Sequence, residues 1–255
     1  MAELGFILST GRTGTKFFED YINETFHRSL CLHEPRPSRK YKFYSNRYLQ
    51  HKMQARSVCK KFIRDRKDML ENPELDLYVE SSNFIFGCIG ALNTCIPGTG
   101  VVHIVRHPEK YIYSHLNHGF WKGIKKFTAM HARYWLEDLH LEGKEKNDPV
   151  IILIRRWKYV NELIGSYERS NRYLCIRFED LFSGERHEAC EQLNRFRNFF
   201  RQHPLAGEEN TAWLNSPKNI SRKEQTKYRI TPDHKAYMRD CLTGLLSKYK
   251  YEVSG

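Results

Sequence analysis

Four short apolar runs, Leu4–Thr10, Leu77–Glu80, Gly100–Val105 and Arg172–Phe178, are separated by much longer stretches with helical periodicity. Runs this short, with little polar alternation, read as strands buried on both faces, and strands that alternate with helices pair in parallel. After the first run, Phe17, Phe18, Tyr21, Ile22 and Phe26 recur at helical spacing. Residues 33–46, with two prolines and many polar groups, read as loop, and Arg47–Leu70 reads as one basic amphipathic helix ended by Asn72-Pro73. Further helices are expected over Tyr111–Trp121, Phe127–Leu141, Ile151–Tyr167, His187–Phe200 and Pro232–Tyr249, the last with Thr231 as its cap. No internal repeat or break in composition divides the 255 residues. The expected fold class is therefore α/β: one domain over 1–255 with a central parallel sheet flanked by helices, and a basic loop/helix insertion at about 35–75.

The charge is unevenly spread. The net charge is +12, and residues 31–70 hold twelve Lys and Arg against three acids, which is +9 of that total. A second cluster, Lys218, Arg222, Lys223, Lys227 and Arg229, lies near the C-terminus. An anionic partner is expected, and composition alone leaves open a nucleotide, an acidic acceptor or a nucleic acid. No run of 18 apolar residues exists, so a membrane span is excluded. The N-terminus has no basic segment ahead of its short apolar run, which makes the expected location cytoplasmic. Seven scattered cysteines without a CxxC pair read as free thiols rather than a disulfide framework or zinc site. His115 and His118 have helix-face spacing but no carboxylate to complete a metal site, so no metal is expected.

Two strand ends carry the chemistry. The first run opens into Gly11-Arg12-Thr13-Gly14-Thr15-Lys16, where small residues let backbone N–H groups converge on a phosphate at a helix N-terminus. Arg12 and Lys16 add positive charge and strong donors. Gly11 and Gly14 are too close for a Walker A loop. The Gly100–Val105 strand ends in Arg106 where a metal-dependent nucleotide hydrolase would carry an acid. An Arg there, with Ser114 eight residues on, suits a second phosphate.

With Arg12-Thr13-Gly14-Thr15, Arg106-His107-Pro108 and Ser114 in hand, the sequence resembles the nucleotide-dependent sulfotransferases. Arg177-Phe178-Glu179-Asp180-Leu181 is similar to that family's later strand end, and Leu246–Tyr251 to its C-terminal helix exit. The resemblance runs over about residues 4–251 and implies a P-loop NTPase-like fold of the sulfotransferase type. It further implies 3′-phosphoadenosine 5′-phosphosulfate (PAPS) as donor, with no metal required. Thr13, Gly14, Thr15, Lys16 and Phe17 would cradle its 5′-phosphosulfate end, Arg106 and Ser114 would bind the 3′-phosphate, and Arg12 would stabilise the bridging oxygen. The family's C-terminal glycine-bearing loop is represented only by the charges of Arg222 and Lys223.

A general base must take the acceptor's proton. His33-Glu34-Pro35 offers both usual types, with Glu34 the first choice and His33 the second. Glu80, Ser81 and Asn83 end the second strand and are expected to contact the acceptor or the sulfuryl oxygens. The acceptor itself, a small molecule, glycan or peptide with anionic character, is left open, with walls expected from residues 35–75, 118–130 and 205–230. Two other readings stand beside this one: a P-loop kinase-type phosphotransferase, and a basic nucleic-acid-binding protein built on the +9 segment.

Overall fold

The computed structural model describes residues 2–117, 139–169, 172–182, 185–201 and 229–254. Five parallel strands, β1 (Glu3–Ser9), β2 (Ser29–His33), β3 (Leu77–Ser81), β4 (Gly100–Val105) and β5 (Arg172–Arg177), form one sheet in the order β2-β3-β1-β4-β5. Four are the expected strands and β2 is an addition. Every residue of β3 and β4 is buried, as is β1 beyond Glu3, which accounts for their continuous apolar character.

Alternation along the strands sorts the core into two faces. Leu4, Phe6 and Leu8 of β1 pack on α2 (Ser38–Leu49), α3 (Ala55–Asp65), α4 (Lys67–Leu70) and α5 (Ile89–Cys95). Ile7, Val79, Val102 and Ile104 face the opposite way, onto α1 (Thr15–Thr25), the short α8 (Phe178–Phe182) and α9 (Arg186–Phe199). A further cluster joins α6 (Pro108–Leu116), α7 (Pro149–Ser166) and α10 (Pro232–Tyr249) around the fully buried Trp157. Thr231 caps α10 as expected, its Oγ1 accepting the His234 N–H at 3.3 Å. Among the described residues no helix is long and apolar enough to cross a membrane.

Three expectations are corrected. First, β2 lies where no strand was expected. It is a five-residue edge strand, and the Asn23 side chain covers its outer side by accepting from the Cys31 N–H (2.7 Å) and donating to the Cys31 carbonyl (2.9 Å). Second, most of the expected loop at 33–46 is helix α2, and the single helix over Arg47–Leu70 is broken, with His51 at φ 56° between α2 and α3. The buried face of α2 is made of Tyr41, Ser45 and Asn46, a stripe that apolar periodicity does not register. Third, Cys59 of α3 and Cys95 of α5 are joined in a disulfide, while Cys31, Cys88, Cys175, Cys190 and Cys241 are free.

Candidate functional site

Around β1 the strand order reverses: its neighbours are β3 on one side and β4 on the other. Ligands of open parallel sheets bind at the carboxyl ends of strands at such a point. There, Thr10–Gly14 form a tight turn with φ 90° at Gly11, 58° at Arg12 and 68° at Gly14. A Cβ on Gly14 would crowd the Phe182 ring at 3.0 Å, and the positive φ there strains any residue with a side chain. Arg12 has no such freedom, and its left-handed backbone costs about 1–2 kcal/mol.

What holds the turn is a set of fixed partners. The Arg106 guanidinium donates to the Arg12 carbonyl, and Arg156 Nη1 donates to the Thr10 carbonyl at 2.6 Å. Ser9 Oγ accepts from the Gly11 N–H (3.1 Å) and from Thr13 Oγ1 (2.6 Å), and donates to Asn83 Oδ1 (2.8 Å). With its carbonyls engaged from behind, the turn leads into α1, whose N-terminus has no side-chain cap. An uncapped first turn with small neighbours is a ready acceptor site for an anion. Lys16 is exposed there, 3.5 Å from Glu19, and Phe17 lies edge-on to Phe182, with ring centroids 5.0 Å apart.

The end of β4 meets this turn directly. Arg12 Nε donates to Ser114 Oγ at 3.3 Å, although the two residues are 102 apart in sequence. The Arg106 guanidinium lies over the Phe178 ring at 4.4 Å, and its carbonyl accepts from Trp157 Nε1 at 2.9 Å. Glu179 accepts the His107 N–H at 3.1 Å and the Tyr251 hydroxyl at 2.7 Å, which pins the start of α6 and the C-terminal exit together. Burial pulls the Arg106 pKa down, with Glu179 opposing and the Arg12 charge assisting; burial likewise lowers Arg12. Two polar atoms here, Thr10 Oγ1 and Arg106 Nε, are buried without a hydrogen-bond partner among the described residues. Partly desolvated guanidiniums beside uncommitted donors fit a multiply charged anion that brings its own acceptor oxygens.

The ends of β2 and β3 form the other wall. Glu34, at φ 48°, donates its N–H to the Ser81 carbonyl at 3.0 Å, and its Oε1 accepts from Asn83 Nδ2 at 3.3 Å. His33 Nδ1 lies 3.1 Å from the Ser81 carbonyl, which assigns the proton to Nδ1 and leaves Nε2 as the basic nitrogen. Ser81 Oγ donates to the Thr15 carbonyl at 2.7 Å. Glu34 and Asn83 therefore adjoin the turn, while Ser81 supports the start of α1.

Glu80, expected to open into the crevice with Ser81 and Asn83, turns instead into the core. It is 1% exposed and paired with the fully buried Arg66, and its Oε1 also accepts from the Tyr78 hydroxyl at 2.9 Å. The pair has a purpose at the site. Arg66 also donates to the carbonyls of Arg36 (2.8 Å) and Pro35 (3.2 Å), fixing the segment that carries Glu34. Burial lowers the Arg66 pKa, but the hydrogen bond and charge of Glu80 outweigh it and raise the value overall.

Arg66, Arg156 and Ser9 were not singled out by sequence. Arg156 shares its helix with Arg155, Lys158 and Glu162, and Arg66 sits in a run of surface-like charges, so neither stood out. Arg222 and Lys223 lie outside the described residues. Among the described residues, no group of three His, Cys, Asp or Glu is gathered as a metal site.

No protein-family model matches the chain, and no curated protein matches it in sequence. Among solved structures, it is similar to the sulfotransferase domain from the curacin biosynthetic pathway, with a TM-score of 0.54 at 13% identity over 100% of this chain and 99% of that one. A sulfotransferase from Alicyclobacillus acidocaldarius aligns with a TM-score of 0.49 at 12% identity, over 99% of this chain and 97% of that one. The first of these likenesses shows a fold similar to that of a sulfotransferase domain, the fold that the resemblance implied.

Proposed function

We propose that the chain is a PAPS-dependent sulfotransferase acting on a hydroxyl or amine. The observation that carries this reading is the meeting of Arg12, Arg106 and Ser114 at one strand edge, from motifs that lie 94 and 102 residues apart. In this reading the 5′-phosphosulfate occupies the uncapped start of α1, against Thr13, Gly14, Thr15, Lys16 and Phe17. Arg106 and Ser114 turn to the 3′-phosphate, and Arg222 and Lys223 are proposed to join them. PAPS supplies an activated sulfuryl group on a phosphate leaving group. The chain's part is electrostatic: Arg12 and Lys16 face the oxygen on which negative charge grows, with Arg12 tied to Ser114 before reaction. Glu34 takes the acceptor's proton, with His33 Nε2 as the second candidate.

The acceptor is proposed to be anionic. Arg36, Arg39, Lys40, Arg56 and Lys60 are exposed on α2, α3 and the segment just after Glu34, while Asp65 is already engaged by Arg64 and Tyr41. A cationic wall that begins two residues from the proposed base favours an acidic acceptor.

The direct test is consumption of PAPS by the purified chain, in the presence and absence of a magnesium chelator. Formation of adenosine 3′,5′-bisphosphate in both conditions supports the proposal. Strict dependence on magnesium, or transfer from ATP instead, would replace it with the phosphotransferase reading.

A further inference from the structure

A continuous hydrogen-bond chain joins the phosphate-type turn to the carboxylate of Glu34. Thr13 Oγ1 donates to Ser9 Oγ (2.6 Å), Ser9 Oγ donates to Asn83 Oδ1 (2.8 Å), and Asn83 Nδ2 donates to Glu34 Oε1 (3.3 Å). Its direction is determined. The Glu34 carboxylate can only accept, so the Asn83 nitrogen faces it and the Asn83 oxygen faces Ser9, which gives that oxygen its single proton and accepts from the Gly11 N–H and Thr13. The amide also lies against the turn itself, its nitrogen 3.5 Å from where a Gly11 Cβ would stand.

The main chain of Glu34 is equally constrained. Its N–H is bonded to Ser81, and the next two carbonyls, of Pro35 and Arg36, are held by Arg66. With Oε1 engaged by Asn83, Oε2 is the oxygen without a hydrogen bond among the described residues.

We propose that Asn83 is a positioning residue. It holds Glu34 so that Oε2 faces the acceptor, and it ties that orientation to the turn that grips the sulfuryl donor. This assigns Asn83 a role different from direct contact with the acceptor, and it rests on the reading of Glu34 as the base. In the step it serves, the acceptor oxygen forms a bond to sulfur as the bond from sulfur to the bridging oxygen breaks. The electron pair of that bond stays on the bisphosphate, and the acceptor's proton passes to Glu34 Oε2 and then to solvent. The side chain of Asn83 exchanges no atoms; its contribution is orientation, which reaction geometry rewards strongly.

The test compares Asn83→Ala and Asn83→Asp with Glu34→Gln and their double variants. Aspartate is nearly the same shape and still accepts from Ser9, but it replaces the donated hydrogen bond with a second carboxylate that repels Glu34. It therefore separates loss of the link from loss of the fold. Three readouts are needed: affinity for adenosine 3′,5′-bisphosphate, kcat for PAPS with water as acceptor, and the Asn83 side-chain amide signals in 1H–15N spectra. We expect bisphosphate affinity within about threefold of wild type in the uncharged Asn83→Ala, with kcat at least about 30-fold lower in both variants, part of the roughly hundredfold or greater contribution of a general base. The Asn83→Asp/Glu34→Gln double variant should be no slower than Glu34→Gln alone. The amide signals should shift in both Glu34→Gln and Ser9→Ala. Additive losses in the double variant, a kcat within threefold of wild type in Asn83→Asp, or amide signals indifferent to Glu34→Gln would each overturn the role of Asn83 while leaving the sulfotransferase reading intact. A wild-type chain that binds no bisphosphate and consumes no PAPS would take both readings down together.

Discussion

Arg66 shows how far a single side chain can act from the place where its effect is felt. Its guanidinium is fully buried, balanced by Glu80, and its remaining donors reach the carbonyls that follow Glu34. Removing it alone would leave the Glu80 carboxylate buried without a cation, so Arg66→Met should cost about 3–5 kcal/mol in denaturant unfolding. Arg66→Met combined with Glu80→Leu should recover most of that loss, because neither charge is then stranded; the same unfolding experiment measures both. A recovery of less than a third would contradict the pairing. The residues that gather at the turn were legible where a motif fixes spacing, as at Arg12 and Thr13–Lys16, and at Arg106 with Ser114. Glu80 was not. A carboxylate at a strand end reads the same whether it faces a crevice or a buried arginine, and Arg66 is fourteen residues away in a charge-rich run.

Among elements, β4, β5 and α7 are locked by one buried histidine. His103 of β4 donates from Nε2 to Asn161 Oδ1 of α7 (2.8 Å) and accepts at Nδ1 from the Tyr173 hydroxyl of β5 (2.7 Å). The tautomer follows from Asn161, whose Nδ2 is already given to the Trp157 carbonyl. Burial pushes the His103 pKa down to about 3, against the Asn161 hydrogen bond and with help from the Lys248 charge. The unfolded chain, with an ordinary histidine near 6.5, thus binds more protons between those two values. Stability should rise with pH across that window and fall away as pH drops from about 6.5 towards 3, by up to about 1.4 kcal/mol per pH unit. Unfolding free energies at pH 7 and pH 4.5 measure this, and His103→Gln should flatten the difference. An equal slope in that variant would mean that other groups carry the acid sensitivity. Elements were legible in the sequence where a short apolar run wrote them, as in β1 and β4, or where a cap and a proline opened a helix, as in α10. They were hidden where tyrosine and serine form the buried face, as in α2, or where a strand is five residues long at the sheet edge, as in β2.

For the whole molecule, the strand order β2-β3-β1-β4-β5 is the feature that makes two distant motifs into one site. It sets β1 beside β4, so the turns after them share an edge, and α1 begins at that edge without a cap of its own. The net charge of +12 then divides into two parts with different work. A few guanidiniums are partly buried around the turns, while the larger excess between residues 31 and 70 stands mostly on exposed helix faces beyond Glu34. We propose that the first group binds the two ends of a nucleotide bisphosphate. Titration calorimetry of adenosine 3′,5′-bisphosphate into the wild-type chain and into Arg106→Ala tests it most directly. We predict binding to wild type that weakens about 10–100-fold in Arg106→Ala, the loss of one charge-assisted hydrogen-bonding partner. No heat of binding to the wild type, or equal affinity in the two chains, would contradict it.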